Sequence, residues 1–295
     1  MNVTSVLTGT LFIFLGILLP VEAAEDSPTK PHAVFVIGTL HYSPELTMPV
    51  FAEELERFGF ETTIVFGGGN PEKKTENVLP GLSEALTKAD VAIFFSRFMK
   101  LPDEEWAPIE SYLQSGKPVI GLRTANHSFK YAKDHPRYDW NEGFGRRALG
   151  SPYVVHQAGS TDVVVVDENL THPIMTHVTK KEWISPGTLY LARLEEGCLP
   201  LVMGSGKGRE RLVKRDFGDT QVKVFETAPI AWAWETEWGG KSFYTSFGHP
   251  GDFAEESFVR MFINSCFWAV DKPVPLADAK ISTWNIERVD KKPKK

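Results

Sequence analysis

The stretch Val119-Ile120-Gly121-Leu122-Arg123-Thr124-Ala125-Asn126-His127-Ser128-Phe129 decides how this chain folds. Its first four residues are apolar without alternation, the mark of a strand buried on both faces, as parallel strands are. A polar turn follows at once, and a helix is expected after it. In open α/β sheets such a turn sits at the carboxyl end of the strand, where ligands are held. A nucleophile elbow occupies the same kind of turn with Ser or Cys at its tip. Here the tip is Arg123, so covalent catalysis from this position is excluded. Thr124 and Ser128 place hydroxyls nearby, but neither has a base at a recognisable spacing.

Outward from this stretch the same logic repeats. Short apolar runs at residues 33–37, 62–66, 91–95 and 117–122 read as strands, and they alternate with amphipathic segments at 49–58, 79–87 and 102–113. That order is a parallel sheet covered by helices. The second half offers shorter strand candidates at 162–166, 188–192, 199–203, 221–225, 230–234 and 241–245, closed by an amphipathic helix over 255–270. The closing helix argues for one sheet extended by β-hairpins rather than a separate β domain. The expected organisation is a leader over 1–24, one α/β domain over 32–271, and an extended basic tail over 272–295.

The chain has 295 residues, 42% of them hydrophobic, which suffices for a large core. A formal charge of −6 and the absence of a basic stripe give no reason to expect a nucleic-acid partner. Lys291 to Lys295 reads as a solvated end. Residues 11–19 form an apolar run that leads into Pro20 and Val21-Glu22-Ala23-Ala24, a signal-peptide pattern, although no Lys or Arg precedes it. The run is shorter than the roughly 20 residues that span a bilayer. Export with cleavage near Ala24 is therefore expected, and an uncleaved N-terminus is the one route to membrane anchoring. Cys198 and Cys266 fit no CxxC pattern and read as apolar thiols. Gly67-Gly68-Gly69-Asn70 and Gly204-Ser205-Gly206-Lys207-Gly208 lack the spacing of a nucleotide-binding loop, so no cofactor is implied.

Two further loops end strands. Gly38-Thr39-Leu40-His41-Tyr42-Ser43 follows the first, and Phe243-Tyr244-Thr245-Ser246-Phe247-Gly248-His249-Pro250-Gly251-Asp252 spans the last. A parallel sheet gathers such loops at one edge, which would bring His41, Arg123, His127 and His249 together. His156, in the insertion after the turn, is a further candidate.

The residues also resemble a known family. Gly121-Leu122-Arg123-Thr124-Ala125-Asn126-His127-Ser128-Phe129 is similar to the ThuA-like pattern G-L-H-A-A-T-H-x-F. Pro229-Ile230-Ala231-Trp232 and residues 240–249 are similar to P-x-A-W and G-K-G-R-V-F-Y-T-S-L-G-H. Residues 148–156 resemble the L-L-G-G stretch and its downstream His, and His172-Pro173-Ile174 the H-P-I after it. The resemblance runs from about residue 33 to 270 and implies a flavodoxin-like, class I glutamine amidotransferase-like α/β sheet. Two departures matter: Arg123 stands where the family has its first His, and Gly187-Thr188-Leu189-Tyr190 stands for D-E-L-Y without its carboxylates. Amidotransferase chemistry therefore does not carry over.

The family is linked to trehalose and other disaccharide use, which implies a small-sugar partner. The leading expectation is acid–base chemistry of lyase, isomerase or hydrolase type on a keto-sugar. His127 or His249 would act as base, Arg123 as the cation beside an enolate, and His41, His156, Asn126 and Tyr244 as ligand contacts. The alternatives are a carbohydrate-binding or scaffold protein whose tryptophans Trp183, Trp232, Trp234 and Trp238 stack on sugar, and a hydrolase with a metal on His41, His127 and His249.

Overall fold

The structure is a computed structural model that describes residue 1, residues 29–67 and residues 78–289. The leader, most of the first glycine loop and the final lysine block lie outside these residues.

Strand β1 (His32–Gly38) leads to α1 (Pro44–Arg57), β2 (Glu61–Phe66), α2 (Leu82–Lys88), β3 (Val91–Ser96), α3 (Asp103–Gln114) and β4 (Val119–Leu122). A 3-10 turn (Arg123–His127) and a short helix, α4 (Trp140–Gly143), open the second half. There follow β5 (Tyr153–His156), β6 (Ala158–Val165), β7 (Glu182–Ser185), β8 (Tyr190–Ala192), β9 (Leu199–Lys207), β10 (Arg211–Val213), β11 (Thr220–Val222), β12 (Phe225–Glu235), β13 (Lys241–Thr245) and α5 (Glu256–Ala269).

Nine strands form one sheet in the order β2-β1-β3-β4-β13-β12-β9-β6-β7. The first five run parallel, and the rest join antiparallel. The apolar runs are central strands because both faces are covered. In β1, Ala33, Phe35 and Ile37 pack into one core with Phe51 of α1 and Phe262 of α5, while Val34 and Val36 pack into the other with Leu86 of α2 and Ile109 of α3. The late strands extend this sheet as hairpins, as the closing helix required.

Three local expectations are corrected. No α-helix follows the β4 turn directly. Phe98 and Met99 donate their backbone N–H groups to the carbonyls of His127 and Ser128, which ties those carbonyls to the β3 loop instead of an i+4 partner. Residues 190–192 pair with β5 outside the main sheet, and residues 220–222 pair with β10.

The described part of the tail is extended but laid back on the domain. Ile281 is buried, the Ser282 N–H donates to Glu54 Oε1 at 2.8 Å, and the Trp284 ring stacks on Phe253 at 5.0 Å. Among the described residues no helix is long and apolar enough to cross a membrane.

Candidate functional site

Because β1, β3, β4 and β13 run parallel, the loops after them meet at one edge. Four non-glycine residues there hold left-handed backbone: Tyr42 at φ 73°, Ser43 at 55°, Phe98 at 53° and Arg123 at 47°. The described chain has six such residues in all, so the strain is concentrated here. Each costs on the order of 1–3 kcal/mol and persists only where the surroundings impose it, which is typical of functional sites.

Arg123 lies at the centre of this edge. Its side chain is buried, donating to the Ser246 carbonyl at 2.6 Å and to Thr188 Oγ1 at 3.2 Å. The guanidinium carbon sits 3.9 Å from the centre of the Tyr42 ring and 4.8 Å from that of Tyr190. Desolvation opposes its charge, but the charge interactions with Tyr190, Tyr42 and Asp252 outweigh that and keep it protonated. Gly187 makes the space: a Cβ there would lie 2.7 Å from an Arg123 amino nitrogen. The glycine at position 187 and the arginine at 123 thus fit one another sterically.

His127 is buried beside it, Nδ1 paired with Asn126 Oδ1 at 2.8 Å, its ring 4.2 Å from Tyr153 and 5.9 Å from Tyr190. Desolvation, then the charges of Arg97, His41, Arg215 and His156, push its pKa well below 6.5, so the imidazole is neutral. His156, at the end of β5, is exposed; its Nδ1 meets the Tyr153 hydroxyl at 2.6 Å. His249 caps the turn Pro250–Ala254 by accepting the Gly251 N–H on Nδ1 at 3.1 Å, and its ring lies 5.9 Å from Tyr42. His41 packs on Tyr42 at 4.4 Å. Behind the site Asp252 accepts from Ser185 at 2.6 Å and from the N–H groups of Gly248 and His249, both at 2.8 Å. Burial raises its pKa, and the hydrogen bonds and Arg123 only partly offset this.

A cleft of about 770 Å³ opens from His127 and Asn126 between the aromatic rings of Phe98, Tyr131, Tyr138, Tyr153 and Phe217. Asp139, Glu142, Arg215 and Asp216 also line it. Neutral His127 thus stands at the wall of a polar, aromatic-lined cleft, with a fixed cation at the adjoining elbow. Such an arrangement can accept a proton and stabilise developing negative charge.

The structure therefore brings His41, Arg123, Asn126, His127, His156 and His249 to one edge. Tyr244 is corrected: it lies under the elbow, fully buried, its ring tilted against that of Trp232 at 4.5 Å and its hydroxyl donating to the Arg123 carbonyl at 2.5 Å. Its hydroxyl is committed to holding the turn and does not face a ligand. Among the described residues no group of three or more His, Cys, Asp or Glu side chains is placed to hold a metal ion. Trp183 and Trp232 are core residues. Three participants were missed from sequence: Tyr42, Tyr190 and Arg288, whose guanidinium carbon lies 3.9 Å from the centre of the Tyr42 ring; Tyr42, next to His41 in a strand-end loop, was the one with a local signal.

A sequence model of the ThuA family, described as trehalose utilisation, matches residues 40–269. This chain belongs to the ThuA family. No curated protein matches it. Among solved structures it is similar to a ThuA-like protein from Parabacteroides merdae, with 14% identity and a TM-score of 0.55 over 84% of this chain and 93% of that one. The fold is thus ThuA-like, a mixed α/β sheet flanked by helices. An exo-β-1,4-mannosidase from Opitutaceae bacterium strain TAV5 matches at 13% identity and a TM-score of 0.41, over 82% of this chain and 36% of that one. The glutaminase domain of Trypanosoma brucei CTPS matches at 10% identity and 0.42, over 88% and 99%. In this ThuA-family member the elbow carries Arg123, whose side chain fills the space beside Gly187.

Proposed function

We propose that this ThuA-family protein is exported and carries out acid–base chemistry on a small sugar of the disaccharide or keto-disaccharide class. The observation that carries the reading is the buried, neutral His127 at the wall of the cleft, next to strained, cationic Arg123. A ketone acidifies the neighbouring C–H. A neutral imidazole can take that proton while a cation at the site favours the enolate oxygen. The cleft falls in the usual range for small-molecule sites, about 300–1,000 Å³, and its rings and carboxylates suit the faces and hydroxyls of a sugar. The family's description, trehalose utilisation, points to the same substrate class.

The lining rings of the cleft also support a second reading, a sugar-binding protein without turnover. Thermal shift with a panel of disaccharides and their 3-keto forms, with and without chelator, followed by product analysis, separates the two. Binding with product formation supports the enzyme, binding alone supports the module, and the absence of both refutes the sugar reading. Export predicts a mature protein that starts near Ala24; N-terminal sequencing that begins at Met1 refutes it.

A further inference from the structure

Four cations line the cleft: Lys130, Arg146, Arg147 and Arg215. Arg146 pairs with Glu195 at 3.0 Å and Arg147 with Glu237. Lys130 is exposed, its ammonium 4.8 Å from the centre of the Phe98 ring. Arg215 differs from all three. It sits half-buried in the loop between β10 and β11, and its Nε and Nη2 both donate to the Val154 carbonyl of β5, at 2.9 and 2.6 Å. That fork fixes the plane of the guanidinium. Nη1 is left over: among the described residues it makes no hydrogen bond, and Arg215 forms no ion pair. The neighbouring carboxylates are engaged elsewhere. Glu142 accepts the N–H groups of Asp216 and Phe217, and Asp216 accepts the Tyr138 hydroxyl at 2.5 Å.

One ring links this cation to the proposed base. The centre of the Tyr153 ring lies 4.2 Å from that of His127 and 5.3 Å from the Arg215 guanidinium carbon. Because Asn126 Oδ1 can only accept, the hydrogen of neutral His127 sits on Nδ1 and the lone pair on Nε2. Arg123 cannot meet a ligand in the same way. It is 1% exposed, and both its amino nitrogens are taken, by the Ser246 carbonyl and Thr188 Oγ1.

We infer that Arg215 is the catalytic residue that meets the developing enolate in this cleft, donating from Nη1 to its oxygen while His127 takes the proton. The inference rests on the acid–base reading above and adds the group that touches the oxygen; buried Arg123 contributes through its charge alone. In the step the C–H bond beside the ketone breaks, and its proton forms the Nε2–H bond of His127. The C–H electron pair becomes the enolate double bond, and the carbonyl pair passes to the oxygen. That oxygen, now an anion, accepts the Nη1–H of Arg215. A donor already fixed by the Val154 carbonyl needs no reorganisation as the charge develops, which is what makes such a group effective.

The test follows enolisation directly, as exchange of the proton beside the ketone for deuterium when the full chain is incubated in D2O with the 3-keto-disaccharides of the panel above and read by NMR. Arg215→Met should slow the exchange at saturating sugar by about 100-fold or more, the usual cost of one lost oxyanion donor, with KM little changed. Arg215→Lys, which keeps the charge but loses the fork, should fall between. The control for a merely structural role is Arg211→Met. Arg211 holds the same hairpin by donating to the His156 carbonyl at 2.9 Å, and it does not line the cleft, so its variant should exchange at close to the wild-type rate. Wild-type exchange in folded Arg215→Met overturns the inference while the sugar reading stands, and so does an equal loss in Arg211→Met, which would trace the effect to the hairpin. If Arg215→Met does not fold, Arg215→Lys decides: a lower saturated rate at unchanged KM supports the role, and a wild-type rate overturns it. If the wild type exchanges no proton of any keto-sugar, the acid–base reading fails and the role of Arg215 falls with it.

Discussion

Acidification should weaken this fold through His127, by an amount that follows from its surroundings. The ring is 7% exposed, and after burial the largest influences on it are Arg97, His41, Arg215 and His156, with no carboxylate among them. Its folded pKa is depressed well below 6.5, whereas in the unfolded chain it returns to about 6.5. Below that value the unfolded chain binds one more proton than the folded one. The stabilisation is therefore full above 6.5 and is lost as pH falls toward the folded pKa. One proton of difference is worth about 1.4 kcal/mol per pH unit, so the loss between about pH 7.5 and about pH 5.5 is roughly 1.4 kcal/mol. His156 and His172 shift in the same direction, chiefly by burial, so the measurement must be a difference. Urea unfolding of wild type and His127→Gln at both pH values isolates the contribution of His127. The variant should lose about 1.4 kcal/mol less than wild type over this interval. Equal pH dependence in the two proteins, or an NMR titration of the His127 ring at 6.5 or above, refutes the reasoning.

His249→Ala should cost about 1 kcal/mol by removing the cap on the Gly251 N–H, while His249→Asn should keep that cap; if His249 also meets the ligand, turnover falls in the asparagine variant without loss of stability, as denaturant melts beside ligand titration would show. Tyr244→Phe should cost about 1–3 kcal/mol because the buried Arg123 carbonyl loses its partner; an unchanged urea midpoint would show that the elbow does not depend on it. Glutamine should release no ammonia, since Arg123 holds the elbow; release that survives mutation of Cys198 and Cys266 would contradict this.

The parallel half of the fold was legible because burial on both faces leaves a plain trace, continuous runs such as Val91 to Phe95, and the helices between them have to cover those faces. The 3-10 turn after β4 was not legible. Its backbone is committed to Phe98 and Met99 on a neighbouring loop, and local helix propensity carries no information about that bond. Tyr244 misled for a related reason: it belongs to the strand-end block with the clearest family resemblance, but the pleat of β13 turns its side chain beneath the elbow rather than toward the cleft.

By itself the sequence determined which strands are central, which edge collects the loops, and that an arginine excludes a nucleophile at the elbow. These follow from hydrophobic period, chain direction and the chemistry of one side chain, all of which are local. Only the tertiary structure decided what surrounds that arginine. Tyr42, Tyr190 and Gly187 reach it from separate elements, and Arg288 meets His41 across 247 positions of chain. Burial and charge set the protonation of His127 and Arg123, and both are properties of neighbours that the fold supplies.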